Sequence, residues 1–233
     1  MNSEYGIPNS ILNRFNKSML INPKRRVRHT NVEEKTFEAL KDMILVQELK
    51  PGERIIQDSV AKNLGVSRTP VKRALIKLAE LGLVTVKPKG QIYVRTFSKK
   101  EILAIYDVRE MLEGLSARLA AEKINEKDIK NLQEMFAHLE ESIGKSSSKL
   151  YVATDLKFHE FLAQKSGNDV LCKIIQDFGI QIAAFEPGVF RPPKDTLKDH
   201  LEIINALANH NGELAESLMR AHIRATRKKI ANS

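Results

Sequence analysis

One cysteine, no tryptophan and only 6% aromatic residues mark this chain of 233 residues. A lone Cys172 excludes an internal disulfide and suits a reducing compartment. It stands in the apolar pattern Val170, Leu171, Ile174, Ile175, which predicts packing rather than reactivity. No apolar run approaches the roughly 20 residues that span a bilayer. The opening MNSEYGIPNSILNRFNKSML lacks the basic-then-apolar layout of a secretion signal. Nor is there a long basic amphipathic helix of the kind that lies on a lipid surface. The expectation is a cytoplasmic protein with no membrane partner. At 42% hydrophobic and 29% charged, the chain can bury the core of one large domain or of two modest ones.

The charge that is present is unevenly placed. Residues 1–97 hold 18 Lys and Arg against 9 Asp and Glu, whereas residues 98–233 hold 20 of each, so the whole net charge of +9 lies in the N-terminal part. Concentrated positive charge is what phosphate binding requires, because each neutralised phosphate releases counterions.

Residues 1–30 read as a tail that closes on the basic cluster Lys24, Arg25, Arg26, Arg28: either a solvated arm or one that touches DNA. Val32, Phe37, Leu40, Ile44 and Leu45 then define a helix that Lys50-Pro51-Gly52 stops. A short β-prone Arg54-Ile55-Ile56 precedes SVAKNLG, a second helix with Gly65 at its C-cap. The stretch Val66–Val84, VSRTPVKRALIKLAELGLV, predicts a third. Ser67 stands at the N-cap position, where its side chain can accept from the first turn, and Pro70 falls within that turn. Val71, Ala74, Leu75, Leu78 and Leu81 form the apolar back; Thr69, Lys72, Arg73 and Lys77 form a basic, hydroxyl-bearing front suited to a major groove. LVTVKPKGQIYVRTF alternates around Pro-Lys-Gly as a hairpin does. Together these predict a winged helix-turn-helix over residues 31–97.

From Ser98 onward only helical patterns appear. Ser98 and Glu101 form a capping box that opens a helix to about Glu122, and further helices are predicted near 126–143, 149–166, 168–185, 195–209 and 212–230. Breaks fall at Gly144-Lys-Ser-Ser-Ser, Gly167-Asn168, Pro187-Gly188 with Arg191-Pro-Pro, and Asn209-His-Asn-Gly212. The fold class is therefore mainly α: a winged helix-turn-helix followed by a six-helix bundle over 98–233.

Several polar residues interrupt the apolar stripes of that bundle. Asp155 and His159, four apart, share a face with Val152, Leu156, Leu162 and Ala163. His200 stands among Leu197, Leu201, Ile204 and Leu207, and His222 follows Ala215 and Leu218. Each imidazole could be a hydrogen-bonded core residue. Taken together, one carboxylate and three imidazoles pointing inward fit a shared divalent metal, which would remove the cost of burying the carboxylate. Arg109, between Ile105 and Leu112, is either paired with Glu113 or Asp107 or turned toward the same cavity to hold a small carboxylate. A metal-dependent hydrolase with a nucleic-acid-binding appendage is the rival reading. It lacks a paired acid or base: Glu160, one residue past His159, points roughly 100° away from the ligand face.

GERIIQDSVAKNLGVSRTPVKRALIKLAELGLV with its Gly-tipped wing resembles the DNA-binding domain of GntR-family transcription regulators. The bundle, with Asp-x-x-x-His, a later His and a last His 22 residues on, resembles the FCD ligand domain of the FadR branch, and six helices match its VanR-type, metal-containing subgroup. The resemblance covers about residues 31–230 and implies roles position by position. Arg68, Thr69, Lys72 and Arg73 would lie on DNA, with Arg68 on a guanine edge, and Ser67, Lys89 and Gly90 on the backbone. Asp155, His159, His200 and His222 would hold the metal, zinc first, with nickel or manganese as alternatives. Arg109 would face a small carboxylate effector. A homodimer on a palindromic operator, acting as a repressor, is the implied assembly. A purely structural metal is the other possibility. The chain departs from the family pattern in two places. Asp58 replaces an arginine that usually touches DNA, and a carboxylate would repel phosphate. Lys72 replaces an arginine and gives up bidentate recognition.

Overall fold

The computed structural model describes residues 30–142, 148–185 and 191–232. The basic tail, the Gly144–Ser147 break and Pro187-Gly188 lie outside the described residues.

Helix α1 (Thr30–Leu45) comes first, then strand β1 (Arg54–Ile55), α2 (Gln57–Leu64) and α3 (Arg68–Glu80). Strands β2 (Val84–Lys87) and β3 (Gln91–Val94) follow, joined by a 3₁₀ turn over Pro88–Gly90. The sheet order is β1-β3-β2 and both pairings are antiparallel, with Val84 opposite Val94 and Lys87 opposite Gln91. At the hairpin tip Lys89 and Gly90 both take left-handed backbone (φ 66° and 72°), which lifts the two residues clear of the sheet. Gly65 (φ 65°) ends α2 as expected, its N–H on the carbonyl of Lys62.

The third helix begins after Ser67 and stops at Gly82: Leu81 is its C-cap, Gly82 (φ 70°) turns the chain, and Val84 belongs to β2. Ser67 has the extended backbone of an N-cap but makes no side-chain capping hydrogen bond. The cause is Pro70. Counting from Ser67 it is the third helical residue, the one whose N–H an N-cap oxygen commonly binds, and proline has none. The Ser67 hydroxyl is left at the surface.

Leu40 and Ile44 of α1 pack on Val71, Ala74, Leu75 and Leu78 of α3, all at most 2% exposed, over Ile55, Val60, Ile92 and Val94. Two ion pairs strap the same helices together on the outside: Arg73 to Glu33 at 2.5 Å and Lys77 to Glu34 at 2.9 Å.

Six helices follow: α4 (Lys99–Ala121), α5 (Glu126–Ser142), α6 (Ser148–Lys165), α7 (Asp169–Phe185), α8 (Pro193–Ala208) and α9 (Gly212–Asn232). The Ser98–Glu101 capping box is formed in both directions, at 3.2 Å and 2.8 Å. Phe136, Phe158, Leu162, Ile203, Ile204 and Leu207 centre the bundle core. Leu201, expected on the inner stripe of α8, is 41% exposed, and Ile203 takes the buried place instead. Cys172 packs beside Leu171 and Ile175, and burial raises its thiol pKa, the opposite of an activated nucleophile.

The two parts are not merely tethered. Ile180 and Ala184 of α7 join the α1–α3 core, Phe97 touches both cores, and Gln181 Nε2 donates to the Leu81 carbonyl at 3.0 Å.

Candidate metal centre and nucleic-acid interface

Three helices bring the four inward polar residues of the bundle together. Asp155 and His159 come from α6, His200 from α8 and His222 from α9; one ligand atom from each lies within 4.8 Å of the others. The three imidazole centroids are 4.6 to 5.8 Å apart, with Phe136 and Phe158 packed on His200. His200 is fully buried (0% exposed). Neither of its ring nitrogens makes a well-formed hydrogen bond among the described residues, although Nε2 stands 3.3 Å from Asp155 Oδ1. Buried polar atoms are nearly always satisfied, so a fully enclosed imidazole left this way fits a cation as its missing partner.

A second ring of carboxylates, Glu113 and Asp199, surrounds these ligands. Glu113 of α4, 1% exposed, accepts from Arg109 Nε at 2.5 Å and its other oxygen meets His159 Nδ1. Asp199 of α8 lies 3.0 Å from His222 Nδ1 and also accepts from Arg191 Nη1 at 2.6 Å. In both cases a carboxylate holds Nδ1 and leaves Nε2 as the open ring nitrogen, the arrangement that orients ligating histidines. Arg109 thus pairs with Glu113, whereas Asp107 pairs with Arg227.

The electrostatics of Asp155, His200 and His222 suit a donor set for a cation, while His159 is held toward its protonated form by Glu113. Burial pushes His200 down to about 4 and lowers His222 as well, so both offer neutral imidazole near pH 7. Burial opposes ionisation of Asp155, but the His200 contact and the neighbouring imidazoles hold its carboxyl below the usual range. His159 shifts the other way: burial lowers it, and the charge and contact of Glu113 more than reverse this. Glu113 itself is held down to about 2, because Arg109 and His159 outweigh the cost of burial.

Beside this cluster lies a cavity of about 390 Å³. Arg109, Leu156, His159 and Ile180 line it from the bundle, while Lys41 and Leu45 line it from α1. Glu160 also borders it, but its Oε1 already accepts from Gln176 at 2.6 Å and Gln164 at 3.2 Å.

At the other end of the chain, Ser67, Arg68, Thr69, Lys72 and Arg73 are all exposed along the N-terminal half of α3, and Lys89 and Gly90 are exposed at the hairpin tip. Arg68 stands against Asp58 of α2, Nε to Oδ1 2.9 Å, and Arg73 is held by Glu33.

A two-helix turn with a wing, joined to an all-α bundle that encloses a ligand-type cluster, defines the class of one-chain transcriptional regulators. The family comparisons agree. The model for bacterial regulatory proteins of the gntR family matches residues 33–94 and that for the FCD domain matches residues 104–225. The chain belongs to the GntR family of transcriptional regulators and carries an FCD domain. It is 30% identical over 207 residues to the HTH-type transcriptional regulator LutR of Bacillus subtilis (strain 168), covering 78% of this chain and 93% of that protein. It is 26% identical over 211 residues to a probable D-xylose utilization operon transcriptional repressor of Paenarthrobacter nicotinovorans, covering 90% and 93%. Among solved structures, E. coli McbR/YncC shares the fold with a TM-score of 0.74 at 21% identity over 86% of this chain and 97% of that one. A GntR-type regulator from Rhodococcus sp. RHA1 gives 0.71 at 21%, covering 88% and 99%.

Proposed function

We propose that the protein is a cytoplasmic, homodimeric repressor whose affinity for a palindromic operator is set by a small carboxylate bound at a divalent metal. In this reading residues 31–97 bind DNA and residues 98–233 hold metal, effector and partner subunit. Asp155, His159, His200 and His222 hold the ion, with zinc first and nickel or manganese as alternatives; bound there, it supplies a Lewis-acid site for an anionic oxygen. The observation that carries this is the convergence of four ligand atoms around an enclosed, incompletely bonded His200.

Arg109 supplies cationic charge at the cavity wall beside His159. Glu113 accepts from its Nε and the guanidinium also lies against the Tyr106 ring, so its charge is held in place at the cavity wall, where an anion would meet it. Regulation has a physical route. The cavity is closed on one side by Lys41 and Leu45 of α1, and α1 holds Arg73 and Lys77 of α3 through Glu33 and Glu34. An anion that favours one seating of α1 against the bundle therefore selects one placement of the recognition helix.

On DNA, Arg68 reads a guanine edge from the start of α3, Thr69, Lys72 and Arg73 line the groove, and Ser67 and the Lys89-Gly90 tip meet phosphate. The uncapped Ser67 hydroxyl supports its part, being free to donate.

Metal uptake is tested by thermal melting of chelator-treated protein as zinc, nickel or manganese is added. Metal at about 100 times its dissociation constant is expected to stabilise the wild type by about 2.7 kcal/mol, and His159→Ala is expected to lose that gain. No gain with any of the three metals would overturn the site.

A further inference from the structure

The contact between Asp58 and Arg68 is not explained by stability. Both side chains are two-thirds exposed (66% and 69%), a setting in which ion pairs contribute little to folding. Nor does Asp58 suit a DNA-facing surface as a contact, because a carboxylate repels phosphate. What it does reach is the one arginine that opens the recognition helix. The approach is to Nε, on the inner side of the guanidinium, 2.9 Å away. The two terminal Nη groups, the pair that can bridge guanine O6 and N7, make no hydrogen bond or ion pair among the described residues. An arginine in this position would otherwise sample many rotamers and lose that freedom on binding.

We infer that Asp58 is a specificity-determining positioning residue: it holds the Arg68 guanidinium by its inner nitrogen with both outer nitrogens presented to a guanine edge, and its charge disfavours any phosphate that takes the base's place. The inference rests on the reading of Arg68 as the base contact. A residue that repels phosphate and steers an arginine lowers affinity for DNA in general while raising the preference for one base pair, since specificity is a difference of affinities.

The test uses the full-length protein and a library of duplexes with a randomised core, selected with wild type, D58N, D58A, D58E and R68A, each checked by circular dichroism for unchanged helix content and melting. The wild type is expected to enrich a guanine at one symmetric position of each half-site. It should discriminate against loss of that guanine by about tenfold or more, the scale of a bidentate arginine contact. D58N and D58A should bind a scrambled duplex as tightly as wild type or more so, yet lose roughly fivefold of that discrimination. D58E, which keeps the charge, should retain part of it. Discrimination unchanged in D58N and D58A, or affinity raised equally on every duplex, would overturn the inference and leave Asp58 a bystander or a simple repellent. If R68A still prefers the same guanine, the base-contact reading of Arg68 fails instead. If the wild type enriches no sequence at all, sequence-specific binding itself fails.

Discussion

Glu113→Ala is expected to destabilise the protein by about 3–5 kcal/mol, the cost of stranding a buried charge. Arg109 and Glu113 are 5% and 1% exposed, and the carboxylate is what compensates the guanidinium. Arg109 cannot escape by losing its proton, because a guanidinium stays charged even where burial opposes it. The alanine variant therefore buries an unpaired cation and removes the group that orients His159 at Nδ1. Urea unfolding checks the magnitude. Glu113→Gln, which keeps an acceptor but no charge, should fall between wild type and alanine. An alanine variant within 1 kcal/mol of wild type would show that Arg109 is compensated by something else.

Arg68→Ala should weaken binding to the duplex selected by the wild type by about five- to 150-fold per half-site, because a bidentate arginine–guanine contact is worth roughly 1–3 kcal/mol. It should leave binding to scrambled duplex within a few-fold, since the other exposed basic residues of the N-terminal unit remain available to phosphate. Metal uptake and melting should be those of the wild type, as the side chain is 69% exposed and belongs to a different cluster. Fluorescence anisotropy with both duplexes, alongside metal analysis, reads all three. Equal losses on both duplexes would make Arg68 a phosphate contact.

Much of this architecture is legible in local pattern. The apolar spacing of Val71, Ala74, Leu75 and Leu78, the αL glycine at 65, the alternation around Pro88-Lys89-Gly90 and the Ser98–Glu101 box each act within a few residues, and each is found in the structure. The Asp155–His159 pair is visible for the same reason, being one helical turn apart. His200 and His222 are visible as interruptions of apolar stripes, and the fold brings both to that pair.

What sequence order hides is set by tertiary contact. Glu113 follows Arg109 by one turn, so their pairing can be anticipated, but its grip on His159 joins α4 to α6 and has no local signal. The Asp199–His222 contact crosses from α8 to α9 in the same way. Arg73 shares the recognition helix's outer face, yet its Nη1 is held by Glu33 of α1 at 2.5 Å, a pairing between helices that has no local signal. Ser67 shows a local rule defeated by another local rule, an N-cap facing a proline with no N–H to give. Asp58 reads from sequence as a defect in the DNA-binding surface; beside Arg68 it becomes an orienting group.

The unequal division of charge has a counterpart in the packing. The basic unit is not free of the neutral one, because Ile180, Gln181 and Ala184 of α7 reach the α1–α3 core and the end of α3. The cavity that borders His159 is completed by α1. Occupancy of that cavity and the seating of the recognition helix are thus mechanically adjacent, without a long chain of intermediates.

The most direct test of ligand control is an anisotropy titration of the wild-type-selected duplex with metal-loaded protein, repeated in the presence of a panel of small mono-, di- and tricarboxylates and with His159→Ala in parallel. At least one acid is expected to shift the wild type's affinity for DNA by about 5- to 150-fold, the range of ordinary allosteric coupling, and to leave His159→Ala unmoved. No shift with any acid, or an equal shift in the variant, would contradict control through the Asp155–His159–His200–His222 centre.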